Sequence, residues 1–487
     1  MRLVLDRSAR VLAGGTLLIG GRPARLIRLT ETGAELVSSW RDGAPVGDAT
    51  GAVALARRLM DAGVAHPVPD RAGAFTHEDV AIVIPARDRV PALAECLRCA
   101  GPAREVVVVD DGSADPDAVR DAASRGGARV LRRPSSAGPA RARNEGVSAT
   151  SAPLVALLDS DVCAGPDWLA GLLGHFDDPE VGAVAPRVVV AAGSGALPAY
   201  EAARSPLDLG RWPGPVGPGK RLGFVPAAAL VVRREAFEQV GGFDPSMRFG
   251  EDVDLAWRLA AAGCTVRYEP SVQVVHPHRA GPRAWLAQRV AYGSSAGALA
   301  RRHPGKMRHL VVPAWMLAPV ALAGDGRRWA ATASALAGAA ALAARLPSAP
   351  GARLQVLRWA AGAQLRIVQQ ALDAGWRAYP PLVLAAAAAS PRLRRPLAIA
   401  LAASVAADWL ERRPRLDPLR FGALRAADDL AYAAGVWQGC ARERTVGPLV
   451  PRVVPEPGDV RARIRSSVAV DDVLGLLRHL VDLVLDR

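Results

Sequence analysis

The sequence predicts an α/β protein: a mainly parallel, doubly wound sheet, preceded by a small α+β module and followed by an α-helical region. Three observations carry this. From Asp79 onward, short apolar runs rich in Val, Ile and Leu alternate with helical patterns, as in βαβ units with right-handed crossovers. Glycine-punctuated strand candidates come before them, and Ala/Leu-rich helical runs come after. With 487 residues, 50% of them hydrophobic and 22% charged, the chain can bury two or three domain cores, which excludes global disorder.

The formal net charge is +14, and every basic residue among Lys and Arg is Arg except Lys220 and Lys306. Such a balance suits nucleic acid, an anionic membrane or an anionic small molecule. Nucleic acid is set aside, because the Arg-rich C-terminal third lacks aromatic interleaving and a zinc or winged-helix reading element. Cys96, Cys99, Cys163, Cys264 and Cys440 are too sparse for a disulfide scaffold. Cys96-Leu-Arg-Cys99 has CxxC spacing without a second pair, so buried thiols and a reducing compartment are expected. Arg2, Asp6, Arg7 and Arg10 break the N-terminal stretch, so no signal peptide is expected.

Residues 1–75 read as a separate module. Strand candidates at Val11–Ala13, Thr16–Ile19 and Ala24–Leu29 are punctuated by Gly14-Gly15 and Gly20-Gly21. Helical patterns follow at Thr32–Trp40 and Gly51–Ala62, and His66–Gly73 reads as a linker. Residues 79–300 form the next domain. Its strands are Val80–Pro85, Glu105–Val109, Arg129–Leu131 and Leu154–Leu158, with helices at Pro91–Cys99, Ala118–Ser124, Ala140–Ser148 and Trp168–Phe176 between and after them. Further on, Phe224–Val232 and Val272–Val275 read as strands. No G-x-G-x-x-G follows the first strand, which counts against a dinucleotide site.

The chemistry sits at strand ends. Asp88, Asp110-Asp111, and Asp159 with Asp161 each follow an apolar strand, and ligands of open α/β sheets bind along that edge. In an extended segment Asp159 and Asp161 point the same way, so both face one divalent cation, Mn²⁺ or Mg²⁺. Capping of the following helix is the competing reading, good for Asp115 and Asp167 and weaker for Asp111. His276, at the end of a strand, reads equally as a third metal ligand and as a loop histidine, and so does His278 close by. Gly210–Gly223, with Trp212, Lys220 and Arg221, reads as a mobile loop closing on substrate, although low complexity alone gives the same look.

Six segments in order resemble family 2 glycosyltransferases of the GT-A fold. They are Ile82–Asp88, Val106–Ser113, Gly138–Gly146, Leu158–Asp161, Gly241–Asp244 and Phe249–Leu259. The resemblance covers residues 79 to 280 or so and implies a GT-A (Rossmann-like) catalytic domain. It implies that Pro85, Arg87, Asp88, Asp111, Ser113, Arg143, Asn144 and Asp159 line a nucleotide-sugar pocket. It further implies that Asp159 and Asp161 hold the metal, and that Asp252, beside Glu251, is the general base. Gln288-Arg289 lacks the tryptophan that processive members carry nearby, so Arg289 reads equally as a phosphate contact or a solvated helix residue.

Residues 301–450 contain about 21 Arg or Lys against about 8 Asp or Glu. Apolar runs at Leu310–Ala323, Trp329–Ala344, Tyr379–Ser390 and Leu397–Leu410 fall short of the ~20 residues that span a bilayer. They suit buried helices or, with flanking Arg pairs, peripheral docking on the cytoplasmic side of the cell membrane. Residues 451–487 read as a linker and an amphipathic helix. The whole layout, with Leu17–Leu26, resembles the glycosyltransferases of the mycofactocin system. That resemblance implies an inverting transfer of glucose from UDP-glucose to a peptide-derived acceptor. The hairpin and short helices of residues 1–75 resemble winged-helix peptide-recognition modules, and read equally as a capping accessory domain without a ligand. The alternative is a membrane-associated rhamnosyl-type transferase of cell-envelope glycans.

Overall fold

The computed structural model describes residues 1–21, 25–69, 73–191, 193–277, 281–313 and 368–454, with a few positions between 329 and 362. Met1–Met307 and Arg412–Thr445 form one compact unit, and Arg308–Glu411 with the segment from Val446 form another.

The first unit begins with β1 (Arg2–Leu5), β2 (Arg10–Leu12), β3 (Leu17–Gly20) and β4 (Arg25–Arg28). Then come α1 (Glu31–Arg41), α2 (Thr50–Asp61) and β5 (Ala65–Val68). β2, β3 and β4 make an antiparallel meander, and β1 pairs with β5. The expected linker at His66–Gly73 therefore begins as a strand: Pro67 is paired with Leu3 on a short two-stranded edge, where a missing N–H is tolerated. Leu3, Leu18, Val37, Trp40, Ala56 and Leu59 close the module's own core.

An eight-stranded sheet follows. Its strands are β6 (Val80–Ala86), β7 (Glu105–Asp111), β8 (Arg129–Arg133), β9 (Leu154–Leu158), β10 (Val181–Val190), β11 (Gly214–Val216), β12 (Ala229–Arg233) and β13 (Thr265–His276), in the order β11-β13-β10-β12-β9-β6-β7-β8. β6, β7, β8 and β9 are parallel, as are β10 and β13, while β12 runs antiparallel to both β9 and β10. The apolar runs are buried on both faces because alternate residues serve two cores. Ile82, Ile84, Ala156 and Leu158 face one side, against Leu93 of α3 (Val90–Cys99), Val119 of α4 (Pro116–Arg125) and the short α6 (Ala170–Leu173). Val83, Val155 and Leu157 face the other, against Val147 of α5 (Pro139–Ser148), Phe237 of α8 (Arg234–Gln239) and Leu255 of α9 (Glu251–Ala261). This is the mixed, mainly parallel GT-A sheet. β10 and the length of β13 exceed what the sequence suggested: Pro186 and two register shifts interrupt their apolar pattern.

α7 (Ala196–Arg204), α10 (Pro282–Arg302) and a later helix, Pro418–Arg442, complete the unit. In the second unit β14 (Val311–Pro313) pairs in parallel with β15 (Arg452–Val454), and its described residues include the helices α11 (Pro380–Ala389) and α12 (Pro391–Arg412). Pro418–Arg442 is α13. The runs Leu310–Ala323 and Trp329–Ala344 and the helix expected at Val468–Leu485 lie largely or wholly outside the described residues.

The CxxC pair is corrected. Cys96 is a buried thiol, but Cys99 is disulfide-bonded to Cys163, their Cα atoms 5.1 Å apart, a separation no local spacing reveals. Alkylation of denatured protein is expected to label Cys96, Cys264 and Cys440 before reduction and all 5 cysteines after it. A fully labelled unreduced sample would remove the bond.

Candidate active site

One side of the site is built from the ends of β6 and β7. Beyond β6 the chain turns sharply, with Asp88 at φ 55 and Arg89 at φ 50, a left-handed conformation that costs a non-glycine residue on the order of 1 kcal/mol or more. Hydrogen bonds hold the turn: the Asp88 N–H donates to Ser113 Oγ at 2.8 Å, and the Ala114 N–H donates to Asp88 Oδ1 at 2.8 Å. Asp110, fully buried, accepts from the Ser113 N–H and from Arg132. Pro85, Arg87, Asp88 and Ser113 are thus brought to one rim, and Arg87 also reaches Ser136 Oγ.

Asp111 is differently employed. Its carboxylate accepts from Ser136 Oγ (2.7 Å) and from the Ala137 and Gly138 N–H groups (2.9 Å each), and Arg133 Nε lies beside it as an ion pair at 2.9 Å. A carboxylate has about four acceptor sites, so the segment leading into α5 takes most of those of Asp111.

The strand ends at Leu158, and Asp159–Val162 forms a tight turn closed by the Val162 N–H on Asp159 O. Strand alternation therefore does not extend to the carboxylates, and the expected shared face is corrected. Asp159 turns to Arg143 Nη2 at 2.6 Å, whereas Asp161 meets Arg89 Nη1 at 3.0 Å and His276 Nε2 at 3.5 Å. His276 Nδ1 lies 2.7 Å from Pro277 O, and a carbonyl only accepts, so Nδ1 carries the proton. When the ring carries that one proton, Nε2 presents a lone pair on the side of the Asp161 carboxylate. Two acceptors so placed suit a cation, and imidazoles that bind metals usually donate their other ring N–H to a carbonyl or carboxylate, as Nδ1 does here. His278 lies outside the described residues.

Arg143, on α5, is the joint between the two halves. It is buried, donates to Asp159 and to Glu251 Oε1 (3.1 Å), and leaves Nε without a partner. Asn144 does not reach toward a ligand. Its amide closes a two-way clamp on Phe243, donating to O at 2.7 Å and accepting from N–H at 2.9 Å. That clamp fixes the loop before α9. Gly250, at φ 80 and packed on Ser295, then starts α9 with Glu251 and Asp252 in its first turn. Desolvation, then the neighbouring Glu251 charge, push the Asp252 carboxyl up to about 7, opposed by the Val253 and Ala227 N–H groups and by Arg143. Two residues on, Asp254 is fully buried and accepts from Arg258, Arg302 and His303 at 2.7–2.8 Å. These partners hold its carboxyl below the usual range despite burial.

The bridging role of Arg143, the Asn144 clamp and the Arg89–Asp161 pair were missed by the sequence reading. The one available signal was arginine inside otherwise acidic motifs. Two other readings change. Arg289 is buried against Glu201 (2.7 Å) and Asp428 (3.1 Å), not presented to a phosphate. The Gly210–Gly223 segment is anchored: β11 pairs with β13, Arg221 holds the Pro213 carbonyl, and the Arg7 guanidinium lies 3.8 Å over Trp212.

Comparison with known proteins places these features. The model of glycosyl transferase family 2 matches residues 81–241. The pre-mycofactocin glycosyltransferase of Mycobacterium tuberculosis is 42% identical over 463 residues, covering 92% of this chain and 97% of the relative. The succinoglycan biosynthesis protein ExoU of Rhizobium meliloti is 32% identical over 198 residues, covering 38% of this chain and 58% of that one. Among solved structures, a mannosyltransferase from Pyrobaculum calidifontis, in complex with GDP-Man and Mn²⁺, is 22% identical at a TM-score of 0.43, covering 78% of this chain and 92% of that one.

Proposed function

The chain belongs to the pre-mycofactocin glycosyltransferases, within glycosyltransferase family 2, and from that premise we propose that it transfers glucose from UDP-glucose to pre-mycofactocin with inversion, more than once on the same acceptor. The observation that carries the reading is the Asp159–Arg143–Glu251 bridge, which sets a donor-side motif beside the half-buried base Asp252.

The chemistry follows from these groups. Pro85, Arg87, Asp88 and Ser113 line the nucleotide side. An acceptor alcohol is a poor nucleophile until a carboxylate takes its proton during attack, and Asp252 is tuned for that near neutrality. Attack opposite the leaving nucleotide inverts the anomeric carbon without a covalent sugar–enzyme link. Asp161 and His276 would hold Mn²⁺ or Mg²⁺, which supplies positive charge for the departing diphosphate. Arg143 keeps Asp159 and Glu251 in register while those charges change.

The N-terminal module reads the peptide-derived part of the acceptor. Its Arg7–Trp212 stack leads through the 210–223 segment to Gly223, whose carbonyl accepts from Trp257 Nε1 of α9 at 2.6 Å. A ligand on the module is therefore joined mechanically to the helix that bears the base. The enzyme works at the cytoplasmic face of the membrane as a peripheral protein; no described helix is long and apolar enough to cross one.

The decisive experiment incubates purified protein with Mn²⁺, a panel of nucleotide sugars and the peptide-derived acceptor, followed by mass spectrometry. Successive hexose increments with UDP-glucose are expected. An increment from dTDP-rhamnose alone would transfer the protein to envelope glycan synthesis. In the same assay Asp161→Asn and His276→Ala should each weaken Mn²⁺ dependence by at least roughly tenfold; unchanged metal titrations would move the cation elsewhere.

A further inference from the structure

α12 buries two polar side chains and exposes apolar ones on its outer face. Its polar residues Ser404 and Asp408, one turn apart, are buried, and the Ser404 hydroxyl donates to Asp373 Oδ1 at 2.8 Å. Leu393, Leu397, Leu401, Val405 and Trp409 are half-buried, but the outer face is apolar as well: Ile399 is 68% and Leu410 53% exposed, with exposed Ala402 and Ala406 between them. These positions recur at helical spacing and line one face, which also carries the exposed Arg392 and Arg395 at its N-terminal end. α11 has no ionisable side chain, yet Leu382 is 55% and Leu384 57% exposed. Arg394 Nε donates to Ala387 O and ties the start of α12 to the end of α11. A helix facing water over its whole outer side would carry the reverse pattern.

We propose that the outer faces of α11 and α12 form a docking surface for an anionic lipid bilayer, with Ile399, Leu410, Leu382 and Leu384 entering the headgroup–acyl boundary and Arg392 and Arg395 meeting lipid phosphates. This rests on the peripheral location proposed above and names the surface responsible. Charge decides the occupant. Between residues 380 and 410 the sole carboxylate is the buried Asp408, against exposed arginines at 392, 394 and 395. A second copy would bring the same cations and no acidic counterpart on this face. Spanning is excluded by length: the apolar part of α12, Pro396–Leu410, covers about 22 Å against a hydrocarbon core of about 30 Å. An apolar face with cations at one end, lying flat in the interface, fits these dimensions.

The test uses the full chain and two sets of vesicles, phosphatidylcholine alone and phosphatidylcholine with roughly one-third phosphatidylglycerol. Co-sedimentation is expected with the anionic vesicles only, and it should be released by salt. Arg392→Gln with Arg395→Gln should weaken partitioning on the order of fivefold per arginine, and Ile399→Asp should abolish it at low salt. Sugar transfer to a soluble acceptor, measured on the same preparations, should be unchanged, so loss of docking and failure of the glycosyltransferase reading are separable. Wild-type protein left in the supernatant with both vesicle types would overturn the proposal. So would equal pelleting of the arginine variants, or a wild-type dimer that Ile399→Asp converts to monomer, which would assign the face to a second copy.

Discussion

Asp252→Asn is expected to bind UDP as the unaltered protein does and to lose transfer by ~10²–10⁴-fold, the range that general-base assistance contributes. The side chain is isosteric, and its two nearest donors, the Val253 and Ala227 N–H groups, can bond the amide oxygen, so the α9 start should survive. What disappears is the site for the acceptor proton. The pH dependence carries a second signature. Asp252 must be ionised to act and titrates near 7, so transfer should fall about tenfold for each pH unit below that value and level off above it. The shift arises from desolvation and, next, from the Glu251 charge, whereas Arg143 opposes it. Glu251→Gln should therefore move the acid limb to lower pH, and Arg143→Gln should move it higher. An Asp252→Asn enzyme with near-normal turnover, or an acid limb that ignores both neighbours, would place the base on another residue.

How much of this was visible beforehand depends on whether the determining contact is local. The parallel strands were legible because Ile82–Ile84, Val107–Val109 and Leu154–Leu158 must be apolar on both faces, which leaves an unbroken signature. β5 was hidden because His66-Pro67 reads as a breaker unless its partner β1 is known. α13 was hidden for a stronger reason. Arg425, Asp428 and Asp429 look like a solvated helix face, yet all three are buried. The partners of Asp428 and Asp429, namely Arg289, Tyr200 and Arg204, lie far away in sequence.

The site divides the same way. Glu251 and Asp252 open a helix and were recognisable from their motif. Asp159 and Asp161 were recognisable as a pair but not as a divided pair, since the turn after Leu158 is set by Ala228 O accepting from the Asp159 N–H. Arg143 joins Asp159, 16 residues away, to Glu251, 108 residues away. No periodicity encodes such a joint. The buried Arg–carboxylate groups cost desolvation that only full pairing offsets, so they specify one docking geometry more than they add stability.

That docking leads to the largest expected effect on stability. α10 and α13 run in the same direction and touch backbone to backbone through four glycines. A Cβ on Gly293 would lie 2.1 Å from Tyr432 O, and one on Gly435 would lie 2.1 Å from Val290 O. One turn further, Gly297 and Gly439 meet Gly439 O and Ser294 O at 2.2 Å. No rotamer can relieve a clash with a carbonyl, so Gly293→Leu must separate the helices. Separation also breaks the Arg289–Asp428 pair four residues away on α10, and stranding a buried charge costs ~3–5 kcal/mol. At 2–4 °C per kcal/mol for a unit of this size, the apparent Tm should fall by roughly 10 °C. Amide exchange across Pro418–Arg442 should accelerate. Transfer should fall with it, because α10 ends in Arg302 and is followed by His303, which hold Asp254 two residues beyond the proposed base, Asp252. Gly51→Ala supplies the contrast. Its Cβ would meet nothing within 4 Å on an ordinary helix, and it should be neutral or stabilising by up to ~1 kcal/mol. If Gly293→Leu melted with the unaltered protein and kept slow exchange in 418–442, the two helices would not be in backbone contact, and α13 would have no part in holding the catalytic helix.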